Sequence, residues 1–155
     1  MRSYVHDIKN TLPIQLLHMR ELLMVRFRAV FVQVNITDAQ WRVIRVINDL
    51  GTVDFSELSD LSIVAKPSLS RMLGTLESRG IVQRAVVAAD QRQIELTLTP
   101  YGETFIADLK PQIDEVYRSL AEDLGEDRMH ALSSFVVDSI EVLEAANSRP
   151  SLAAH

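Results

Sequence analysis

The 155-residue sequence contains no cysteine. That excludes disulfides, thiolate catalysis, thiol redox sensing and cysteine-ligated zinc. Its four histidines, His6, His18, His130 and His155, include no pair at metal-ligand spacing, so no metal is expected. No stretch reaches the run of about 18 or more uncharged apolar residues that a membrane span needs. The most apolar one, Leu12 to Val34, is interrupted by His18, Arg20, Glu21, Arg26 and Arg28. The N-terminus lacks the layout of a signal peptide. Also missing are a Gly-rich phosphate loop, a nucleophile motif, internal repeats and low-complexity tracts. Paired acids such as Asp114–Glu115, Glu122–Asp123 and Glu126–Asp127 read as solvated helix ends and linker. These absences lead us to expect a cytoplasmic protein that is not an enzyme, uses no cofactor and does not associate with membranes.

What is present is a chain of one-domain length, 47% apolar and 24% charged, able to bury a sizeable core. The net charge of −5 is unevenly placed. Residues 1–53 hold seven Lys/Arg against four Asp/Glu, residues 54–92 five against five, and residues 93–155 four against twelve. The acid is therefore concentrated in the C-terminal third, away from the cations described below.

The hydrophobic pattern predicts a helix from Leu12 to about Val34, with Pro13 tolerated in its first turn. It is apolar on more than one face, which points to burial on several sides and to a subunit interface. Thr37-Asp38-Ala39-Gln40 has the form of a capping box. The helix it opens runs to about Asp49, with Trp41, Ile44 and Ile47 inward and Arg42, Arg45 and Asp49 on the other face. Asp54 caps a short helix that ends near Leu61–Ser62. After a four-residue turn, Lys66 to Ser78 reads as a helix with Pro67 near its start and Gly80 past its end. Leu69, Leu73 and Leu76 form its buried stripe. The period then changes: Ile81 to Val87 reads as a strand, residues 88–92 as a turn, and Gln93 to Leu98 as a second, half-exposed strand. Thr99-Pro100 opens a long helix with Pro111 inside it, where a kink is expected. A last helix spans about Asp127 to Ala146. The fold class is thus mainly α with a small β-hairpin.

Two helices joined by a short turn and followed by a hairpin form the winged helix-turn-helix arrangement. In that arrangement the second helix enters the major groove with its N-terminal residues at the base edges. Lys66, Pro67, Ser68, Ser70 and Arg71 occupy that end, with Thr75 one turn further along. Arginine can bond guanine bidentately, serine can donate to a base or a phosphate, and a helix N-terminus favours a phosphate. Arg92 lies in the hairpin turn and Arg84 on the strand before it; a tip of this size suits the minor groove, whose negative potential attracts arginine. Each element has a plain alternative, a solvated helix face for Ser68, Ser70 and Arg71 and an ordinary turn with a local ion pair for Asp90 to Arg92. Acids are nearly absent from both places until Glu77, which favours the nucleic-acid reading.

Four stretches carry a resemblance to the MarR family of bacterial regulators: Pro67-Ser68-Leu69-Ser70-Arg71, Leu76-Glu77-Ser78-Arg79-Gly80-Ile81-Val82, Asp90-Gln91-Arg92 and Leu98-Thr99-Pro100-Tyr101-Gly102. Within it, Leu17 to Arg28 and Gln40-Trp41-Arg42 resemble the branch that regulates homoprotocatechuate (4-hydroxyphenylacetate) degradation. The resemblance implies a homodimer whose terminal helices, 12–34 and 100–147, form the dimerisation region around a DNA-binding lobe at 36–99. It implies a pseudo-palindromic operator, usually bound as a repressor, with half-sites about one helical turn apart. Arg92 becomes the minor-groove residue, with Asp90 orienting it or pairing with a neighbouring arginine.

Members of this family often answer to small aromatic acids. Candidates for contacting such a carboxylate are His18, Arg20, Met24 and Arg28 on the first helix and Trp41, Arg42 and Arg45 on the second. A buried arginine needs an anionic partner, and a ligand carboxylate can be one. Glu21, Asp38 and Asp49 can serve equally well, and Met24 and His18 have core or interface packing as their plain role. The expected function is a DNA-binding repressor of aromatic-compound catabolism genes, released by a small aromatic acid. The alternative is a winged-helix module that binds protein and not DNA.

Overall fold

The computed structural model describes residues 11–87 and 90–148, and of residues 86, 87 and 90–93 the backbone alone. The chain divides into two compact units, Met1–Asp114 and Glu115–His155.

Helix α1, Leu12–Gln33, starts from the extended backbone of Thr11 with Pro13 in its first turn. It buries Phe27, Val30 and Phe31, and leaves Leu12, Leu16, Leu22 and Val25 exposed. It closes where Asn35 adopts a left-handed φ of 53° and the Ile36 N–H donates back to the Phe31 carbonyl at 3.0 Å. A residue just beyond a helix commonly takes this conformation, and asparagine tolerates it better than branched residues do. Helix α2, Asp38–Leu50, opens with the full capping box. The Gln40 N–H donates to Thr37 Oγ1 at 3.1 Å, and the Thr37 N–H donates to Gln40 Oε1 at 2.9 Å. Val43, Ile44 and Ile47 are wholly buried along its inner face.

The sheet has three strands, one more than the hydrophobic pattern indicates. Strand β1, Thr52–Asp54, pairs antiparallel with the end of β3, setting Val53 opposite Leu96. Its last residue then caps helix α3, Phe55–Ser62: Asp54 Oδ1 accepts the N–H groups of Ser56 and Glu57 at 2.8 and 2.9 Å. One residue thus serves as strand end and helix cap. Strands β2, Val82–Val87, and β3, Asp90–Leu98, complete the order β1-β3-β2. The second hairpin strand begins at Asp90, three residues earlier than the alternation suggests. Its pairing is irregular there, moving from Val86–Ile94 to Val87–Asp90.

Between α3 and α4, Ile63 sits at φ 54° with its side chain 83% exposed. A β-branched residue in the left-handed region is strained, and this one stays exposed to solvent. Val64 turns inward instead, and Ser59 Oγ donates to its carbonyl at 2.7 Å. Helix α4, Lys66–Ser78, buries Leu69, Leu73 and Leu76 completely. Each such side chain contributes roughly 1.5–3 kcal/mol by leaving water. Gly80, at φ 69°, turns the chain from α4 into β2.

Helix α5, Pro100–Leu124, runs as one helix through Pro111, and α6 follows as Glu126–Asn147. Thr99 caps α5: its hydroxyl accepts the Gly102 N–H at 2.9 Å and donates to the Gly80 carbonyl. Helix α6 has no buried residue, and Phe135, Val142 and Leu143 are exposed along it. No helix among the described residues is long and apolar enough to cross a membrane.

Candidate nucleic-acid interface and effector cleft

The stripe of Leu69, Leu73 and Leu76 fixes which face of α4 is turned outward. Lys66, Pro67, Ser70, Arg71 and Thr75 are exposed there, and Ser68 lies beside them at the start of the helix. Among the described residues the Arg71 side chain has no ion-pair or hydrogen-bond partner. Lys66 Nζ donates to Ser56 Oγ at 3.1 Å, which joins the first turns of α3 and α4. Thr75 Oγ1 donates to the Arg71 carbonyl one turn back. Ala65 provides no side-chain cap and the first turn of α4 carries no acid, so its N-terminal amides and positive dipole end meet no protein carboxylate within the helix. Arg84 is occupied: its Nε donates to Glu77 Oε1 at 2.7 Å, tying β2 to α4. Asp90 and Arg92 lie on β3, and their side chains fall outside the described residues.

A second cluster forms where α1 meets the start of α2. Arg28 makes five hydrogen bonds, its guanidinium shared between Glu21 and Asp38 at 2.6 to 3.2 Å. Arg20 adds contacts to Glu21 at 2.9 Å and to Asp38 at 3.6 Å. The hydrogen bonds from Arg28 hold both carboxyls below their usual range, against some opposing desolvation. The same bonds, to Glu21 first and Asp38 second, raise the Arg28 pKa. Arg45 pairs with Asp49 at 3.2 Å, and its guanidinium lies 5.9 Å from the Trp41 ring centre. Trp41 packs its ring 5.4 Å from that of Phe31.

Arg42 differs from its neighbours. It is half-buried, and its Nε donates to the Ser62 carbonyl at 2.8 Å, a neutral acceptor at the C-terminal end of α3. Burial, and then the charge of Arg20, lower its pKa, while Asp38 acts in the opposite direction. Among the described residues, Arg20 and Arg28 share Glu21 and Asp38, while Arg42 has no ion pair, so three guanidinium groups stand near two carboxylates. Beside it lies a cleft of about 390 Å³ lined by Arg28, Phe31, Val32, Ile36 and Asp38, among others. Of the seven sequence candidates for an effector site, only Arg28 lines this cleft. Arg20 and Arg42 flank it through Asp38, and Trp41 through Phe31. His18 is exposed and Met24 half-buried, with neither on the cleft wall. Phe31 and Ile36, which also line it, look like ordinary core positions in the sequence, where Asp38 reads as a helix-start residue and a partner open to an arginine.

The charge cluster gives a pH dependence of known sign. Asp38 has a depressed folded pKa, so its stabilisation is fully present above the unfolded value of about 4 and is lost as pH falls through the folded value. The urea midpoint should fall as pH is lowered from about 5 to below about 4. Asp38→Asn should flatten that fall. An identical profile in the variant would remove the Arg28–Asp38 pair from the account.

The sequence and the fold have counterparts among known proteins. Residues 34–93 match the model described as the MarR family. The chain is 37% identical over 138 residues to the HTH-type transcriptional regulator FarR of Neisseria gonorrhoeae, covering 89% of this chain and 94% of that one. It is 31% identical over 145 residues to the homoprotocatechuate degradative operon repressor of Escherichia coli, covering 94% of each. The crystal structure of NadR in complex with 4-hydroxyphenylacetate superimposes with a TM-score of 0.80 at 34% identity, over 88% of this chain and 99% of that one. With a helix-turn-helix whose second helix turns a cationic, hydroxyl-bearing face outward, and identity above 30% along nearly the whole length of named regulators, this chain belongs to the MarR family of DNA-binding winged helix-turn-helix transcriptional regulators.

Proposed function

We propose that this chain is a homodimeric, cytoplasmic repressor of genes for aromatic-compound catabolism, released from a pseudo-palindromic operator by a small aromatic carboxylate. The observation that carries the effector half of this reading is Arg42. Among the described residues its half-buried cation is bonded only to a carbonyl, in a cluster with more guanidinium than carboxylate. An entering carboxylate would neutralise that charge, and Phe31 on the cleft wall, with Trp41 packed against it, suits a flat ring. The repressor relative acts on a homoprotocatechuate operon by its name, and the NadR structure holds 4-hydroxyphenylacetate, which supports an acid of that class.

The DNA half rests on Lys66, Pro67, Ser68, Ser70, Arg71 and Thr75 of α4, with Asp90 and Arg92 at the wing tip. Arg84, held by Glu77, braces the wing in this reading and reaches a phosphate only by giving up that partner. A second copy of the chain is the natural cover for the apolar side chains left exposed on α1 and, separately, on α6. Two-fold symmetry would then present two α4 helices to two half-sites. Release follows if the effector favours a dimer in which those helices no longer match the half-site spacing.

Titrating 4-hydroxyphenylacetate and related aromatic acids into a complex with a selected operator duplex tests the reading. Affinity should fall at saturating acid for at least one of them. Unchanged affinity with every acid tried would remove the effector half while leaving DNA binding intact.

A further inference from the structure

Helix α4 is held at its C-terminal end by a residue that the DNA-facing surface does not use. Arg79, the C-cap of α4, reaches across 44 and 45 residues of sequence to the turn between α1 and α2. Its Nη1 donates to the Asn35 carbonyl at 2.6 Å and its Nη2 to the Val34 carbonyl at 2.9 Å. The guanidinium also lies 5.9 Å from the ring centre of Phe105 on α5. Helix α1 has no basic residue in its own last turn, so Arg79 brings a cation to that negative dipole end. Two N–H bonds from a planar fork fix direction as well as distance. The turn so gripped carries Ile36 and Thr37 and leads directly into Asp38; all three line the cleft, and Asp38 belongs to the carboxylate cluster.

We infer that Arg79 is a positioning residue: it fixes the recognition helix to the α1–α2 turn, so that the placement of α4, and its response to an occupant of the adjacent cleft, pass through this fork. This inference rests on the reading of α4 as the helix that contacts DNA. The other ties to α4 act elsewhere. Lys66 holds its first turn to α3, and Glu77 holds Arg84 of the wing, so neither connects α4 to the turn beside the cleft. Lysine at position 79 would keep the charge and one bond but not the fork.

The test uses the full chain, with Arg79→Gln and Arg79→Lys, against a duplex selected by the unaltered protein from a random pool and against an unselected duplex. Arg79→Gln should weaken binding to the selected duplex at least about tenfold, the equivalent of about 1.4 kcal/mol. The slope of log affinity against log salt should stay unchanged, because Arg79 touches no phosphate in this reading. Arg79→Lys should restore part of the affinity. Hydrogen exchange without DNA should quicken at residues 34–38 in Arg79→Gln while the Leu69–Leu76 segment stays protected. Full affinity in Arg79→Gln would overturn the inference, and so would a slope reduced by about one, which marks a phosphate contact. Unchanged exchange at residues 34–38 would overturn the tether itself, independently of any duplex. Failure of the unaltered protein to select any duplex would count against the DNA reading and leave the exchange result standing on its own. If Arg79→Gln does not fold, Phe105→Leu, which removes only the ring contact, should bind the selected duplex about as tightly as the unaltered protein. A tenfold weakening there, about 1.4 kcal/mol, would place the function in the ring and not the fork.

Discussion

Gly102→Ala should destabilise the protein by about 1–3 kcal/mol, the range for overpacking a filled site. In a chain of this size that corresponds to a Tm lower by roughly 2–12 °C. The reason is local. A Cβ on Gly102 would overlap the backbone carbonyl of Ile81, and a backbone group cannot swing aside as a flexible side chain can. That same carbonyl accepts the Thr99 N–H at 3.0 Å, and the Thr99 hydroxyl reaches the neighbouring Gly80 carbonyl. The start of α5 is therefore pressed against the joint between α4 and β2, and an alanine must lift it off or strain the strand. Thermal unfolding of Gly102→Ala and Gly74→Ala gives the comparison, since a Cβ on Gly74 meets nothing within 4 Å and a helical glycine replaced by alanine gains stability. Equal Tm changes in the two variants would show that the contact has no energetic weight.

Leu98-Thr99-Pro100-Tyr101-Gly102 is thus one docking device, in which Leu98 fills the core, Thr99 caps, Pro100 starts the helix and Gly102 permits the approach. Local signals of this kind are legible in the sequence. The capping box at Thr37, the cap at Asp54, and Pro67 and Gly80 at either end of α4 all rely on neighbours within a few residues. Strand β1 is not legible, because Thr52-Val53-Asp54 shows one inward side chain and its partners, Thr97, Leu96 and Glu95, lie far along the chain. The roles of Arg42 and Arg79 escape for another reason. Their acceptors are the carbonyls of Ser62, Val34 and Asn35, and every residue has a carbonyl, so no residue type announces the partner. Arg28 is legible as a cation in need of an anion, but only the approach of Glu21 and Asp38 shows that internal carboxylates meet that need.

Arg71→Ala should cost about 1–3 kcal/mol of specific duplex binding, or roughly 5- to 150-fold, if Arg71 reads a base edge. Its stability should change by no more than about 0.5 kcal/mol, since the side chain is exposed and has no partner to abandon among the described residues. Leu73→Ala, two positions along on the opposite face, should do the reverse. Leu73 is wholly buried, and such truncations cost about 2–5 kcal/mol of stability. At a temperature where it remains folded, Leu73→Ala should retain sequence preference. Measuring urea midpoints and duplex affinities for both variants separates the two faces of α4. Binding to unselected duplexes sharpens the distinction for Arg71. If Arg71 bonds a base, its removal lowers affinity for the selected sequence more than for others. If it bonds a phosphate, its removal lowers both alike and reduces the salt slope by about one. Should Arg71→Ala bind the selected duplex as tightly as the unaltered chain, α4 does not read bases through Arg71, and recognition must lie with its serines or with the wing.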